Sequence, residues 1–167
     1  MDESSAETPL SKTYEPSKLA LYLTDESQGD HNGHSWQILF EAKVINDYWL
    51  ENKHDYIQWW FPLDEPSRAK SFLPYLSVED VSWMRQQAIV ANSQNFLLAR
   101  MKKFLMENDY WICHYNHNHL RITRIIKSLR LVSGDKAAED FKLWLMGYLG
   151  PRINLIADKA VQLWKES

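Results

Sequence analysis

The sequence predicts an all-α protein, a single compact helical bundle of about six to eight helices. Apolar residues recur at helical spacing through most of the chain after residue 34, and no stretch alternates with a period of two for long enough to form a strand. Apolar residues make up 45% of the 167 residues, which is enough to fill the core of one domain. No internal repeat divides the chain further.

The first 34 residues form an N-terminal arm that is predicted to be only partly docked on the body, residues 35–167. The arm is rich in Ser, Asp, Glu and Gly and has one apolar cluster, residues 19–23. We expect this cluster to pack on the body, because an exposed apolar run is unfavourable in water. Residues before about Lys18 offer little apolar area to offset their ordering entropy and are expected to be mobile.

The body begins with three short helical segments and a loop. Ser35 is expected to cap the first helix, and the second is expected to begin near residues 46–47. Apolar residues in segment 54–61 have helical spacing, and Pro62 ends that helix. Three prolines in or beside segment 63–76 indicate a fixed loop rather than a helix.

Two further helical stretches follow the loop. Ser77 and Asp80 have the spacing of a capping box, and the periodic pattern continues from there to about Asn108 as one long helix or two nearly collinear ones. The next helix is expected to begin at residues 116–118 and to end near residues 133–134.

The last part of the chain predicts two more helices. Asp135 is expected to cap a helix that stops at Gly150 and Pro151. Apolar residues from Ile153 to Trp164 then draw a regular stripe on a terminal helix.

Composition excludes several classes of function. The formal net charge of −3 argues against general nucleic-acid binding through a basic surface. No stretch approaches the apolar length of a membrane span, and residues 1–8 are acidic and polar where a secretory signal would be basic and then apolar. The single cysteine, Cys113, fits a reducing compartment. We therefore expect a soluble cytoplasmic protein that does not span a membrane.

The helix expected over residues 115–131 has two contrasting faces. One half is apolar and is predicted to be buried, whereas Arg121, Lys127 and Arg130 on the other half are predicted to be largely exposed. The apolar residues are Ile122, Ile125, Ile126 and Leu129. Because helix N-termini favour anions, the start of this helix could hold a carboxylate or phosphate beside His117, Arg121 and Arg124. The alternative is structural: Asn116 or Asn118 caps the helix, and the arginines pair with acids of neighbouring helices.

The segment around the start of this helix contains the densest cluster of possible metal ligands, namely Cys113, His114, His117 and His119. A structural zinc site usually has two separated ligand pairs, which this single tight cluster does not resemble. A haem needs only one axial histidine or cysteine, so haem is the more plausible cofactor. The chain has no glycine-rich phosphate loop, nucleophile elbow or paired metal-ligand motif, so no enzyme is predicted.

Two segments resemble the signatures of the opioid growth factor receptor family. Residues 54–62 read HDYIQWWFP, and residues 116–129 read NHNHLRITRIIKSL. The resemblance extends from about Gly33 to Gly150 and implies that residues 35–167 form that family's helical domain. Trp60 replaces the leucine of the first signature, and His119 stands where the family often has an apolar aromatic residue. Animal members that act as receptors bind an enkephalin pentapeptide, so the resemblance also suggests a peptide ligand.

The leading functional hypothesis is a non-enzymatic domain that binds a peptide, a small anionic ligand or a protein partner. Its ligand is expected to combine an anion with an apolar or aromatic part. The residues predicted to form the site are His54, Tyr56, Gln58, Trp59, Asn116, His117, Arg121 and Arg124. By the resemblance, Gln58 is expected to join Asn116 or His117 in one polar network between the two signatures. The alternatives are a haem protein that uses Cys113, His114, His117 or His119, and an interaction domain without a small ligand.

Overall fold

Nine α-helices and no strand occur in the part of the chain that the structure, a computed structural model, describes, namely residues 13–68 and 72–167. The predicted all-α class is confirmed, and the buried side chains form one continuous core. Within the same ranges, no helix is both long enough and apolar enough to cross a membrane. The helices are α1 (Lys18–Leu21), α2 (Trp36–Glu41), α3 (Asp47–Asn52), α4 (Tyr56–Trp60), α5 (Val78–Arg85), α6 (Ala88–Glu107), α7 (Asn118–Ser128), α8 (Asp135–Leu149) and α9 (Asp158–Glu166).

Short polar side chains cap several of these helices, as the sequence predicts. Ser35 accepts a hydrogen bond from the backbone of Ile38 and so caps α2. Asn46 caps α3 in the same way, and Ser77 with Asp80 forms the predicted capping box of α5. Each cap satisfies a backbone N–H that the first helical turn leaves unpaired.

The pattern from residue 77 to 108 forms two helices, α5 and α6, separated at residues 86–87, which is one of the two predicted alternatives. Two helix boundaries differ from the predicted ones. Asp135 is the first residue of α8 rather than its cap, because Gly134 takes the preceding position with a φ of 112°. The stripe that begins at Ile153 is interrupted: residues 150–155 form a 3-10 turn, and α9 begins only at Asp158.

Helix α7 lies at the centre of the molecule. Its apolar face, including Ile122, Ile125 and Ile126 at 0% exposure, packs towards α8 and α9 and is buried as predicted. The opposite face is covered in part: Arg121 is only 7% exposed, whereas Lys127 is exposed as predicted. The expectation that Arg121 is largely exposed is therefore wrong, and the reason is that the carbonyl ends of α3 and α4 lie against this face.

The N-terminal arm is docked from Tyr14 onward. The side chains of residues 19–23 are almost fully buried, apart from Leu21, which confirms the predicted packing of this cluster. Tyr14 and Ser17 donate hydrogen bonds to the carboxylate of Asp80 in α5, so docking begins before Lys18. The prediction of mobility extends to residues 1–12, which lie outside the described residues.

Candidate binding surface

Arg121 of α7 joins the end of α3 instead of facing solvent. Its guanidinium donates to the backbone carbonyls of Leu50 at 2.9 Å, Lys53 at 2.7 Å and Glu51 at 3.4 Å. The last carbonyls of a helix have no partner within the helix and carry a partial negative charge. The buried guanidinium therefore supplies these carbonyls with hydrogen bonds and balances their charge. The same guanidinium lies 3.4 Å from Nδ1 of His54.

Arg124, one turn further along α7, has the same role at the end of α4. Its Nε donates to the carbonyl of Phe61 at 2.8 Å, directly after the last residue of α4. Burial lowers the pKa of Arg124 to about 10, so the side chain is still charged at neutral pH. Arg124 therefore connects the second signature to the first, while Arg121 connects it to the end of α3 directly before the first signature. The structural alternative predicts that these arginines pair with acids of neighbouring helices, whereas they donate to backbone carbonyls.

The aromatic part of the predicted site belongs to the core. Tyr56 is 5% exposed and donates its hydroxyl to the carbonyl of Leu50 at 2.8 Å, while Trp59 is 2% exposed. Gln58 is also buried, and its amide nitrogen donates to the carbonyls of His54 at 2.9 Å and Asp55 at 3.0 Å. Both of these partners lie within the first signature, so the Gln58 amide does not itself make the expected connection to Asn116 or His117.

A polar network instead joins the start of the second signature to α3 through Glu51. Its carboxylate lies 2.8 Å from Nε2 of His117 and accepts a hydrogen bond from the side chain of Asn118 at 3.3 Å. Burial raises the pKa of Glu51, but hydrogen bonds from Tyr110 and Asn118 and the charges of His117 and Arg121 outweigh burial and lower it. No local signal in the sequence distinguishes Glu51 from other acids, since its partners are distant along the chain.

The candidate haem ligands next to α7 have protein partners. The ring of His119 is buried, and its Nε2 donates to the carbonyl of Trp111 at 2.7 Å. The thiol of Cys113 donates to the carbonyl of Tyr115 at 3.3 Å, and the ring of His114 lies 4.2 Å from the Tyr115 ring. Among residues 13–68 and 72–167, no three His, Cys, Asp or Glu side chains are grouped so as to hold a metal ion. Haem binding stays a prediction.

A groove of about 490 Å³ lies between the first turns of α7 and α9. The two helices run in the same direction: the backbone of Ala157 donates to His114, the Trp164 indole donates to His119, and Arg130 donates to Ser167. Both N-terminal ends are therefore at the same side of the molecule. The residues that line this α7/α9 groove are Tyr115, Asn116, His117, His119, Leu120, Ala157, Lys159, Ala160 and Leu163.

A second concavity of about 440 Å³ lies on the other side of His54. It is formed by the loop at residues 30–34, the region between α2 and α3, and residues 52–56. We call it the His54 pocket. The rings of His54 and His117 are 6.2 Å apart, so this pocket adjoins the α7/α9 groove.

The structure thus separates the predicted site residues into three groups. Arg121, Arg124, Gln58 and Trp59 are engaged within the fold. Asn116 and His117 line the α7/α9 groove. Asn116 also accepts a hydrogen bond from the backbone of Asn118 at 2.9 Å, but the cap position of α7 is occupied by His117 and has no side-chain cap bond. His54 and Tyr56 line the His54 pocket.

Comparison with known proteins does not extend this assignment. No family model, no curated protein and no solved structure matches the chain. The resemblance to the opioid growth factor receptor family therefore rests on the two signature segments alone.

Proposed function

We propose that the chain is a non-enzymatic peptide-binding domain and that the α7/α9 groove receives an apolar or aromatic peptide side chain beside a carboxylate. The observation that carries this proposal is the concentration of exposed apolar side chains around one groove. Leu120 is 69% exposed and Tyr115 is 78% exposed, and both flank the small residues Ala157 and Ala160. Large side chains of this kind exposed together typically mark an interaction site.

The charge around the α7/α9 groove favours an anionic partner. Lys159 lies at its edge, and none of the described residues that line it is an aspartate or glutamate. The positive end of the α7 helix dipole, whose first turn contains no acid, lies at the same side and adds to the attraction for a carboxylate. The C-terminal residue of a peptide combines an apolar side chain with a carboxylate and so matches both features. An enkephalin-like peptide, which the family resemblance suggests, also has this combination.

The proposal is tested by titrating the ¹⁵N-labelled protein with the peptide acetyl-Gly-Gly-Phe, which ends in a free carboxylate. We expect shifts of the backbone amide signals of Leu120 and Ala160. The Leu120→Asp variant should bind about tenfold more weakly or worse, because it places an acid in the apolar groove and repels the carboxylate. Leu143→Asp is the matched control, since Leu143 is 72% exposed on α8 and does not line the groove.

The peptide amide provides a second comparison. We expect acetyl-Gly-Gly-Phe-amide to bind about two- to fivefold more weakly than the acid, the usual value of one exposed charge pair. Unchanged binding in the Leu120→Asp variant would contradict the proposal, as would shifts confined to residues outside the groove.

Haem binding is the second candidate, because the same apolar groove contains His117 with a side chain that is 47% exposed. Addition of haem to the purified protein should then give a Soret band that shifts in the His117→Ala variant.

We further propose a cytoplasmic location, because the half-buried Cys113 is a free thiol.

A further inference from the structure

The His54 pocket has an aromatic wall that other contacts hold in place. The rings of Trp49 and Tyr56 are 5.0 Å apart, and Trp49 is backed by Trp60 at 6.2 Å. The Tyr56 hydroxyl donates to a backbone carbonyl, and the guanidinium of Arg121 lies 5.5 Å from the centre of its ring. With Leu39 and Val44, this wall gives the pocket an apolar interior that is already formed without a ligand.

The rim of the pocket contains acidic and basic side chains. The acidic ones, Asp30 and Asp55, already have partners within the protein. One carboxylate oxygen of Asp30 accepts hydrogen bonds from the backbone of Asn32 at 2.8 Å and of His34 at 3.1 Å. Asp55 lies 3.3 Å from Nε2 of His31. Both carboxylates are therefore already held by local partners.

Two basic side chains of the rim, Lys53 and His34, are exposed. Lys53 is exposed and forms no ion pair with any residue in the ranges 13–68 and 72–167. The imidazole of His34 is also exposed and lines the same pocket. An anionic group on a ligand would thus meet an ammonium and an imidazole close to the aromatic wall.

We propose that the His54 pocket binds a small aromatic acid, with its ring against Trp49 and Tyr56 and its carboxylate at Lys53. The volume of about 440 Å³ is within the range of small-molecule sites. This site does not depend on the α7/α9 groove and would give the protein a second, small-molecule ligand. The His54–His117 contact would place the two ligands next to each other.

The test uses naphthalene-2-carboxylate and its neutral counterpart, naphthalene-2-carboxamide, in titrations of the ¹⁵N-labelled protein. We expect the acid to shift the amide signals of Asn32 and Lys53 and to bind about two- to fivefold more tightly than the amide. Lys53→Met should remove this difference without unfolding the protein, because its side chain is exposed. Val44→Asp should weaken both compounds, because Val44 is an apolar lining residue that is 41% exposed.

Variants of the two sites distinguish failure of this inference from failure of the peptide proposal. Leu120→Asp should leave naphthalene-2-carboxylate binding unchanged, and Lys53→Met should leave acetyl-Gly-Gly-Phe binding unchanged. Equal binding of the acid and the amide, or naphthalene-induced shifts confined to the α7/α9 groove, would overturn the inference.

Discussion

His119 joins three segments of the chain through its ring and its backbone. The ring donates to the carbonyl of Trp111, while the carbonyl of His119 accepts hydrogen bonds from the Trp164 indole and the Thr123 hydroxyl. A buried donor and a buried acceptor are thus satisfied within one residue. The sequence draws attention to this histidine as a departure from the family signature, and the structure gives it a role in packing α9 against α7.

The neutral form of the His119 ring is favoured in the folded protein, because burial lowers its pKa below the ordinary value of 6.5. The unfolded chain then binds the proton at a higher pH than the folded chain does. The contribution of His119 to stability is therefore complete above about pH 6.5 and is lost as the pH falls below that value.

We predict that the His119→Gln variant loses less stability than the wild type between about pH 7.5 and pH 5.5. Glutamine can still donate to the carbonyl of Trp111, but it does not titrate. Urea unfolding at the two pH values measures the difference. His114→Gln, at an exposed histidine, is the control and should behave like the wild type. Equal pH dependence in His119→Gln and wild type would show that His119 is not the titrating group.

At the scale of elements, α7 is the helix on which the others assemble. Ile125 is 0% exposed at its centre, whereas Leu120 on the same helix is 69% exposed. We predict that Ile125→Ala lowers the free energy of unfolding by about 2–5 kcal/mol, the range for emptying a buried aliphatic site. Leu120→Ala should change it by less than about 0.5 kcal/mol. Urea midpoints that coincide for Ile125→Ala and wild type would contradict the central position of this face.

The start of α5 anchors the N-terminal arm. Burial raises the pKa of Asp80, but hydrogen bonds from Tyr14, Ser17 and the backbone of Ser77 outweigh burial and lower it. The same carboxylate thus completes the capping box of α5 and holds the arm.

We predict that Asp80→Ala lowers the free energy of unfolding by about 1–3 kcal/mol, since a cap and several hydrogen bonds to a charged group are lost. The arm should also detach, so trypsin should cut after Lys18 faster than in the wild type. Glu79→Ala, at the exposed neighbour, is the matched control. Similar cleavage rates in the two variants would mean that the apolar cluster alone holds the arm.

Those features of the fold that depend on neighbouring residues could be predicted from the sequence. The caps at Ser35 and Ser77 and the buried stripe of α7 follow from local spacing. The burial of Arg121 could not be predicted in this way, because its carbonyl partners lie about 70 positions earlier. A basic residue opposite an apolar stripe is usually solvated, and here tertiary packing reversed that preference.

Only the α7 side of the α7/α9 groove can be predicted from the sequence. Asn116 and His117 are predicted site residues, but Ala160 and Leu163 come from α9, whose pairing with α7 has no local signature. One signal was present in the sequence: Leu120 is an apolar residue on the basic side of α7, out of phase with the buried stripe.

For the whole molecule, the two signature segments form a shared framework, and the proposed ligands lie at its edge. Arg121 and Arg124 of α7 secure the ends of α3 and α4, while the α7/α9 groove and the His54 pocket border the contact between His54 and His117. We infer that these arginines serve the fold and not the ligand.

The most direct test is the free energy of unfolding of Arg121→Met, measured in urea beside the matched control Lys127→Met at an exposed position of the same helix. Methionine retains an unbranched apolar stem, but it removes the donor of the Lys53 carbonyl and one of the two side-chain donors of the Leu50 carbonyl. We predict a loss of about 2–5 kcal/mol for Arg121→Met and less than about 0.5 kcal/mol for Lys127→Met. If Arg121→Met instead unfolds at the wild-type midpoint, Arg121 is not needed for the fold and the account is contradicted.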